Sequence, residues 1–146
     1  PRGIPLWPFG RKVGKSHRDT FMAIRPESEE SMKNKFELEH IGINTPNPEE
    51  AEKLAQLLSM MFNLEPRHGQ KSEFGGPYFE CMKSPFLGTN GHIAMRTPDL
   101  TAAVEELKEK GFTFNMETAA YNEDGTIKNV YLDGEYGGFA IHIMQK

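Results

Sequence analysis

Glu39-His40-Ile41-Gly42-Ile43-Asn44-Thr45-Pro46-Asn47 returns further along the chain as Gly91-His92-Ile93-Ala94-Met95-Arg96-Thr97-Pro98-Asp99. Each copy reads His-Ile-small-apolar-x-Thr-Pro-Asn/Asp and runs into a helical pattern. A second echo closes each copy. Gly75-Gly76-Pro77-Tyr78-Phe79-Glu80-Cys81-Met82 aligns with Gly137-Gly138-Phe139-Ala140-Ile141-His142-Ile143-Met144, so Glu80 answers to His142. An internal repeat governs the fold. Two copies of one module predict a pseudo-two-fold domain with His40, Glu80, His92 and His142 in paired places.

Alternation assigns the faces. Phe36, Leu38, His40 and Gly42 are expected on one side of the opening strand, with Ile41 and Ile43 on the other. Asn47 suits an N-cap, Pro48 the first helical position, and Glu50 completes a capping-box spacing. The helix is expected to bury Ala51, Leu54, Ala55, Leu58, Met61 and Phe62 against the Ile41/Ile43 side. His40 is then left on the helix-free face. Leu64-Glu65-Pro66 ends the helix, and residues 66–74 carry only a weak strand signal. Gly75-Gly76-Pro77 turns the chain, and Tyr78, Glu80 and Met82 share a face of the next strand. Ser84 to Asn90 is a linker.

In the second module His92, Ala94 and Arg96 share one face, and Ile93 and Met95 the other. Asp99 caps a helix whose apolar side is Leu100, Ala103, Val104 and Leu107, and Gly111 stops it. Strands follow at 112–116, 127–132 and 139–144, with a hairpin tip at Asn122-Glu123-Asp124-Gly125. The fold class is α+β: two paired βαβββ modules, about 36–87 and 88–146, whose mixed sheet curves around a cleft.

The bulk properties leave room for one such domain. The chain has 146 residues, a net charge of -4 and one cysteine. Cys81 cannot form an internal disulfide, which fits a reducing, cytoplasmic setting. No apolar run approaches the roughly 18 residues of a membrane span, and no secretory signal is visible. Residues 1–35 form a Pro/Gly-rich arm carrying Arg2, Arg11, Lys12, Lys15 and Arg18 ahead of the first acid, Asp19. Such arms are ordinarily solvated chain, so no nucleic-acid partner is assigned. Gly10 to Ser16 lacks the glycine spacing of a phosphate loop. Met32 is a possible natural start.

His40, Glu80, His92 and His142 all fall on the cleft side by this alternation. Imidazole nitrogens and carboxylate oxygens are the usual ligands of Zn, Ni, Fe and Mn. A lone strand histidine is ordinarily satisfied by packing and hydrogen bonding. Two at equivalent repeat positions, matched by Glu80 and His142, favour a divalent metal over a polar floor holding water or an anion.

The paired modules, their His-Ile-Gly/Ala openings and the Gly-Gly-x-x-apolar-Glu close resemble the vicinal oxygen chelate superfamily. It includes glyoxalase I, bleomycin-resistance proteins, methylmalonyl-CoA epimerase and extradiol dioxygenases. The resemblance covers about Phe36 to Lys146. It implies a glyoxalase-like domain with metal ligands His40, Glu80, His92 and His142, a small-molecule substrate and a homodimer. The last ligand is typically Glu and is His142 here, so Glu80 is the one carboxylate available to move a proton. The two-His-one-carboxylate set of the dioxygenases is not reproduced. A narrower stretch, Met82 to Met95 with the ending Gly137 to Lys146, resembles an extra domain of some bacterial 2-keto-3-deoxy-6-phosphogluconate / 4-hydroxy-2-oxoglutarate aldolases.

Two functions are open. One is a metal-dependent lyase or isomerase acting on a small oxo- or keto-acid-like substrate. There the metal acts as a Lewis acid, Glu80 is the catalytic residue, Arg96 pairs with a substrate anion, and Tyr78 and Tyr121 form the wall. The other is a non-catalytic ligand-binding or accessory domain associated with a keto-acid aldolase.

Overall fold

Phe36 leads into β1 (Glu37–Asn44), and the apolar stretch around Ile41 makes it a central strand. The computed structural model describes residues 33–146. The basic arm up to residue 32, including the Gly10 to Ser16 stretch and Met32, lies outside the described residues.

Helix α1 (Pro48–Phe62) follows β1 directly. The Asn47 side chain accepts from the Glu50 backbone N–H, and Pro48 takes the first turn. The helix ends at Asn63, which adopts the left-handed conformation (φ 56°, ψ 46°). Asn tolerates that region better than most residues. Three short strands complete the module: β2 (Pro66–His68), β3 (Ser72–Gly75) and β4 (Phe79–Met82).

The second module repeats the plan with β5 (Gly91–Thr97), α2 (Leu100–Glu109), β6 (Phe114–Tyr121), β7 (Ile127–Leu132) and β8 (Phe139–Gln145). Asp99 caps α2 by accepting from the Ala102 N–H. Gly111, at φ 98°, turns the chain away after it.

The eight strands of the described residues form one mixed sheet of order β2-β3-β4-β1-β5-β8-β7-β6. That order is symmetric about the antiparallel β1–β5 pair. β4 lies parallel to β1, and β8 parallel to β5. The expected paired βαβββ architecture is therefore the observed one. Among the described residues, no helix is long and apolar enough to cross a membrane.

Both helices cover one face of the sheet. Leu100 and Val104 of α2 pack with Val130, Leu132 and Ile143, while Ala51 and Ala55 of α1 meet Cys81. Burial of these side chains supplies the main drive for docking, at about 25 cal/mol per Å² of apolar surface removed from water. The opposite face carries the histidines.

Three details depart from the sequence expectation. Phe36 and Leu38 do not share the face of His40. The β1–β5 register slips between Leu38 and His40, so Leu38 lies opposite Met95 and Phe36 packs on the helix-side cluster. One extra residue in a strand reverses the alternation beyond it. Met61 and Phe62 are exposed, at 60% and 59%, and Ser59 is buried instead. The helix backbone lies against Gly75, where an added Cβ would come 3.2 Å from the Ala55 carbonyl oxygen. Gly75 is the last residue of β3, so the final helical turn overhangs the sheet. Strand β6 runs to Tyr121 rather than ending at Met116. Its register shifts between Asn115 and Ala120, which hides the strand period.

Candidate metal centre

Four neighbouring strands each contribute one side chain to the helix-free face. His40 comes from β1, Glu80 from β4, His92 from β5 and His142 from β8. Strand pairing fixes their neighbourhood: Gly42 lies opposite both Glu80 and His92, and Ala94 opposite both His40 and His142. The small residues Gly42 and Ala94 leave room for imidazoles on either side. At Gly42 the fit is absolute, because an added Cβ would fall 2.0 Å from Cε1 of His92.

Three of the four groups touch. His40 Nε2 is 3.1 Å from Glu80 Oε1, His92 Nε2 is 3.2 Å from the same oxygen, and the two imidazole nitrogens are 3.2 Å apart. Ligands held at about 2.0–2.1 Å around a tetrahedral ion sit roughly 3.3 Å from one another. The observed triangle has nearly that edge. His142 joins the two other histidines rather than Glu80: one nitrogen from each of the three lies within 4.8 Å of the others.

Electrostatics separate the two sides of the cluster. Burial works against the Glu80 carboxylate but is outweighed by hydrogen bonds from His40, His92 and Ser72. Its pKa is therefore held well below the usual carboxylate range. Ser72 donates to Glu80 Oε2 at 2.6 Å and so orients the other oxygen toward the histidines. Burial pushes His142 the other way, down to about 3, reinforced by His92 and His40 and opposed by Glu80. A neutral imidazole is the form a metal takes.

Two buried nitrogens have no protein hydrogen-bond partner: Nδ1 of His92 and Nε2 of His142. Buried polar atoms are ordinarily satisfied. A partnerless nitrogen within a group of three imidazoles and a carboxylate is what a cation site shows before its ion is added. The donor set and its spacing thus fit a divalent metal such as Zn, Ni, Fe or Mn.

The sequence missed three participants. Ser72 sits on β3, whose strand signal is weak, and reaches Glu80 across the β3–β4 pair. Tyr131 stacks on His142 with ring centroids 4.4 Å apart and planes at 16°. Burial, then the Glu80 charge, raises the Tyr131 hydroxyl to about 12. Asn129 contacts His142 Nδ1 at 2.6 Å. Alternation on β7 was the available signal, since Val130 and Leu132 enter the core and Asn129 and Tyr131 take the other face.

The remaining sequence candidates lie apart from this contact set. Arg96 donates through Nε to Glu37 and through Nη1 to Glu39, at 2.8 and 3.1 Å, so its guanidinium is already engaged. Tyr78 is half exposed in the turn before β4, and Tyr121 is exposed on the edge strand β6.

Comparison with known proteins bears on the fold. No family model matches the chain, and no curated protein matches it in sequence. Solved structures do. A hypothetical protein of Bacillus halodurans superposes with a TM-score of 0.52 at 17% identity, covering 77% of this chain and 95% of that one. A methylmalonyl-CoA epimerase of Streptomyces coelicolor, in complex with 2-nitronate-propionyl-CoA, gives 0.49 at 13% identity over 75% and 94%. A glyoxalase I variant of Zea mays gives 0.31 at 15% identity over 81% and 48%. The likeness is one of fold: an α+β open mixed sheet with two helices.

Proposed function

We propose that the chain is a divalent-metal-dependent enzyme of lyase or isomerase type, acting on a small oxo- or keto-acid-like substrate. The observation that carries this is the buried, partnerless Nε2 of His142 beside a triangle of His40, His92 and Glu80 atoms 3.1–3.2 Å on a side. His40, Glu80, His92 and His142 would hold the ion. Bound there, it would supply Lewis-acid polarisation of a substrate oxygen.

The chain's own groups supply the rest. The helix-free face of β1 and β5 receives the substrate. The packed strands beneath the histidines keep bulk water from their buried side. Among the described residues Glu80 is the carboxylate that meets both His40 and His92, while Glu39 lies 3.9 Å from His40 Nδ1, so a proton moved in the reaction is assigned to Oε1 or Oε2 of Glu80. Ser72 orients that carboxylate. Arg96 would guide a substrate anion only by exchanging one of its carboxylate partners, and Tyr78 and Tyr121 are open to an extended substrate. A homodimer belongs to the same proposal through the family resemblance, and sedimentation tests it.

One observation favours a second function, ligand binding without turnover, as in an accessory domain beside a keto-acid aldolase. Glu80 accepts from three neighbours at once and is held ionised, which suits a ligand better than a proton carrier. Elemental analysis of protein purified without chelator tests the metal, beside a His40→Ala/His92→Ala double variant. Near-stoichiometric metal lost in the variant is the expected result. No uptake of any of the four ions would end the metalloenzyme proposal. Screening of 2-oxoaldehydes and keto acids then separates the two functions. Turnover abolished by Glu80→Gln supports the enzyme, and saturable binding without turnover supports the accessory domain.

A further inference from the structure

His142 is the ligand candidate whose orientation the protein has most fully specified. Its ring stacks on Tyr131 and meets the rings of His40 and His92 edge-on. Tyr131, directly opposite it on β7, lies nearly coplanar against it. Two residues earlier on the same face of β7, Asn129 reaches the inner edge of the ring. Asn129 Oδ1 and His142 Nδ1 are 2.6 Å apart, while Nε2, at the opposite edge, has no hydrogen-bond partner and is buried.

We infer that Asn129 is a positioning residue that fixes His142 as the Nδ1–H tautomer and thereby turns an Nε2 lone pair into the cluster. A neutral imidazole carries one proton, on either nitrogen. With the proton on Nδ1, the N–H donates to the Asn129 carbonyl oxygen, and the partnerless atom is a lone pair. With the proton on Nε2, a buried N–H would have no acceptor, and the Asn129 amide would have to turn its NH2 toward Nδ1. Both tautomers leave Nε2 without a partner, but a proton on Nε2 would set the Nδ1 lone pair against the Asn129 carbonyl oxygen 2.6 Å away, so the first arrangement is the stable one. The proton is then parked on the side away from the cluster before any ion arrives. Metal-bound histidines ordinarily hand their second nitrogen to a carboxylate, carbonyl or water, and losing that partner costs about 10–100-fold in affinity. Here an asparagine takes that part. The amide oxygen accepts the Nδ1–H without adding a charge to the cluster.

The tautomer itself is independent of whether a metal binds; only its consequence rests on the proposed metal centre. The test starts on metal-free, 15N-labelled wild-type protein at neutral pH, with long-range 1H–15N correlation. Five histidines are present, and His142→Gln identifies the signals that belong to residue 142. A protonated Nδ1 and an unprotonated Nε2 are expected. A proton on Nε2 of His142 would overturn the assignment.

Zinc ion alone is then titrated into wild type, Asn129→Leu and Asn129→Asp. The leucine variant is expected to lose the tautomer preference and about 10–100-fold in zinc affinity. The aspartate variant, which keeps the acceptor, is expected to restore both. Unchanged tautomer and affinity in Asn129→Leu would overturn the inference. The predicted tautomer in a wild-type protein that takes no zinc would support the assignment of Asn129 and sink the metal centre instead.

Discussion

The imidazole of His92 occupies the space that a side chain at residue 42 would need. The two residues lie opposite one another on β5 and β1, and a Cβ at 42 would fall 2.0 Å from Cε1 and 2.4 Å from both ring nitrogens. The glycine in the first copy of the repeat is therefore a seat for the histidine of the second. Gly42→Ala is expected to force the ring out of its place. It should lower stability by roughly 1–3 kcal/mol, as overpacking does, and weaken zinc binding at least about tenfold. Urea midpoints and zinc titration measure the two effects. Wild-type zinc affinity in Gly42→Ala would show that His92 is no ligand.

Ser72 holds the far oxygen of Glu80. A hydrogen bond to a charged group contributes about 1.5–3 kcal/mol, less where water reaches it. Ser72→Ala should cost about 1–2 kcal/mol at neutral pH, and Glu80 should protonate at higher pH than in the wild type. Urea unfolding and a carboxyl-resolved NMR titration check these. An unmoved Glu80 titration would mean that His40 and His92 alone set its charge.

Acid should loosen the metal-free protein in two stages. The folded pKa of His142 is pushed down to about 3 by burial and its histidine neighbours. Between the ordinary imidazole value near 6.5 and about 3, the unfolded chain binds a proton that the native one refuses. Stability is therefore full above about pH 6.5 and falls as pH drops through that window. At about 1.4 kcal/mol per pH unit, the loss between pH 7 and 5 is roughly 2 kcal/mol. Glu80, whose pKa is lowered on folding, stabilises above its unfolded value and adds a second loss below about pH 4.5. Urea midpoints at pH 7 and 5 are expected to differ in the wild type and to differ less in His142→Gln. Equal slopes for the two proteins would remove His142 as the source.

Cys81 has no exposed surface, and burial, followed by the charges of Glu73 and Glu80, pushes its thiol up to about 11. Thiolate is the reactive form. A disulfide reagent at pH 8 should leave the native protein unlabelled for hours and label it within minutes in urea. Rapid labelling under native conditions would show that β4 opens locally.

Much of the fold was legible because it was written twice. The His-Ile-small openings and the Thr-Pro-Asn/Asp caps announce a strand and a helix in each half, and the paired sheet follows. The same alternation places His40, Glu80, His92 and His142 in equivalent positions. What stayed hidden depends on neighbours that only the sheet order supplies. The slip between Leu38 and His40 cannot be read from β1, because the strand's own alternation continues through it. Met61 and Phe62 have the spacing of a buried face, but where β3 stops is a property of the sheet and not of the helix. Alternation sets Asn129 and Tyr131 on the face opposite the core, but their link to His142 appears only once β7 is known to lie against β8.

The cluster draws its four groups evenly from the two modules, and among the described residues the β1–β5 pair is the only run of strand pairing that joins them. Neither half of the chain owns a site. A cut within residues 83–90 would leave one fragment with His40 and Glu80 and the other with His92 and His142. Two ligands each make a poor trap for an ion. If the proposed metal centre binds a cation, its capture would announce the reunion of the fragments, and the ion would act as a clasp between them.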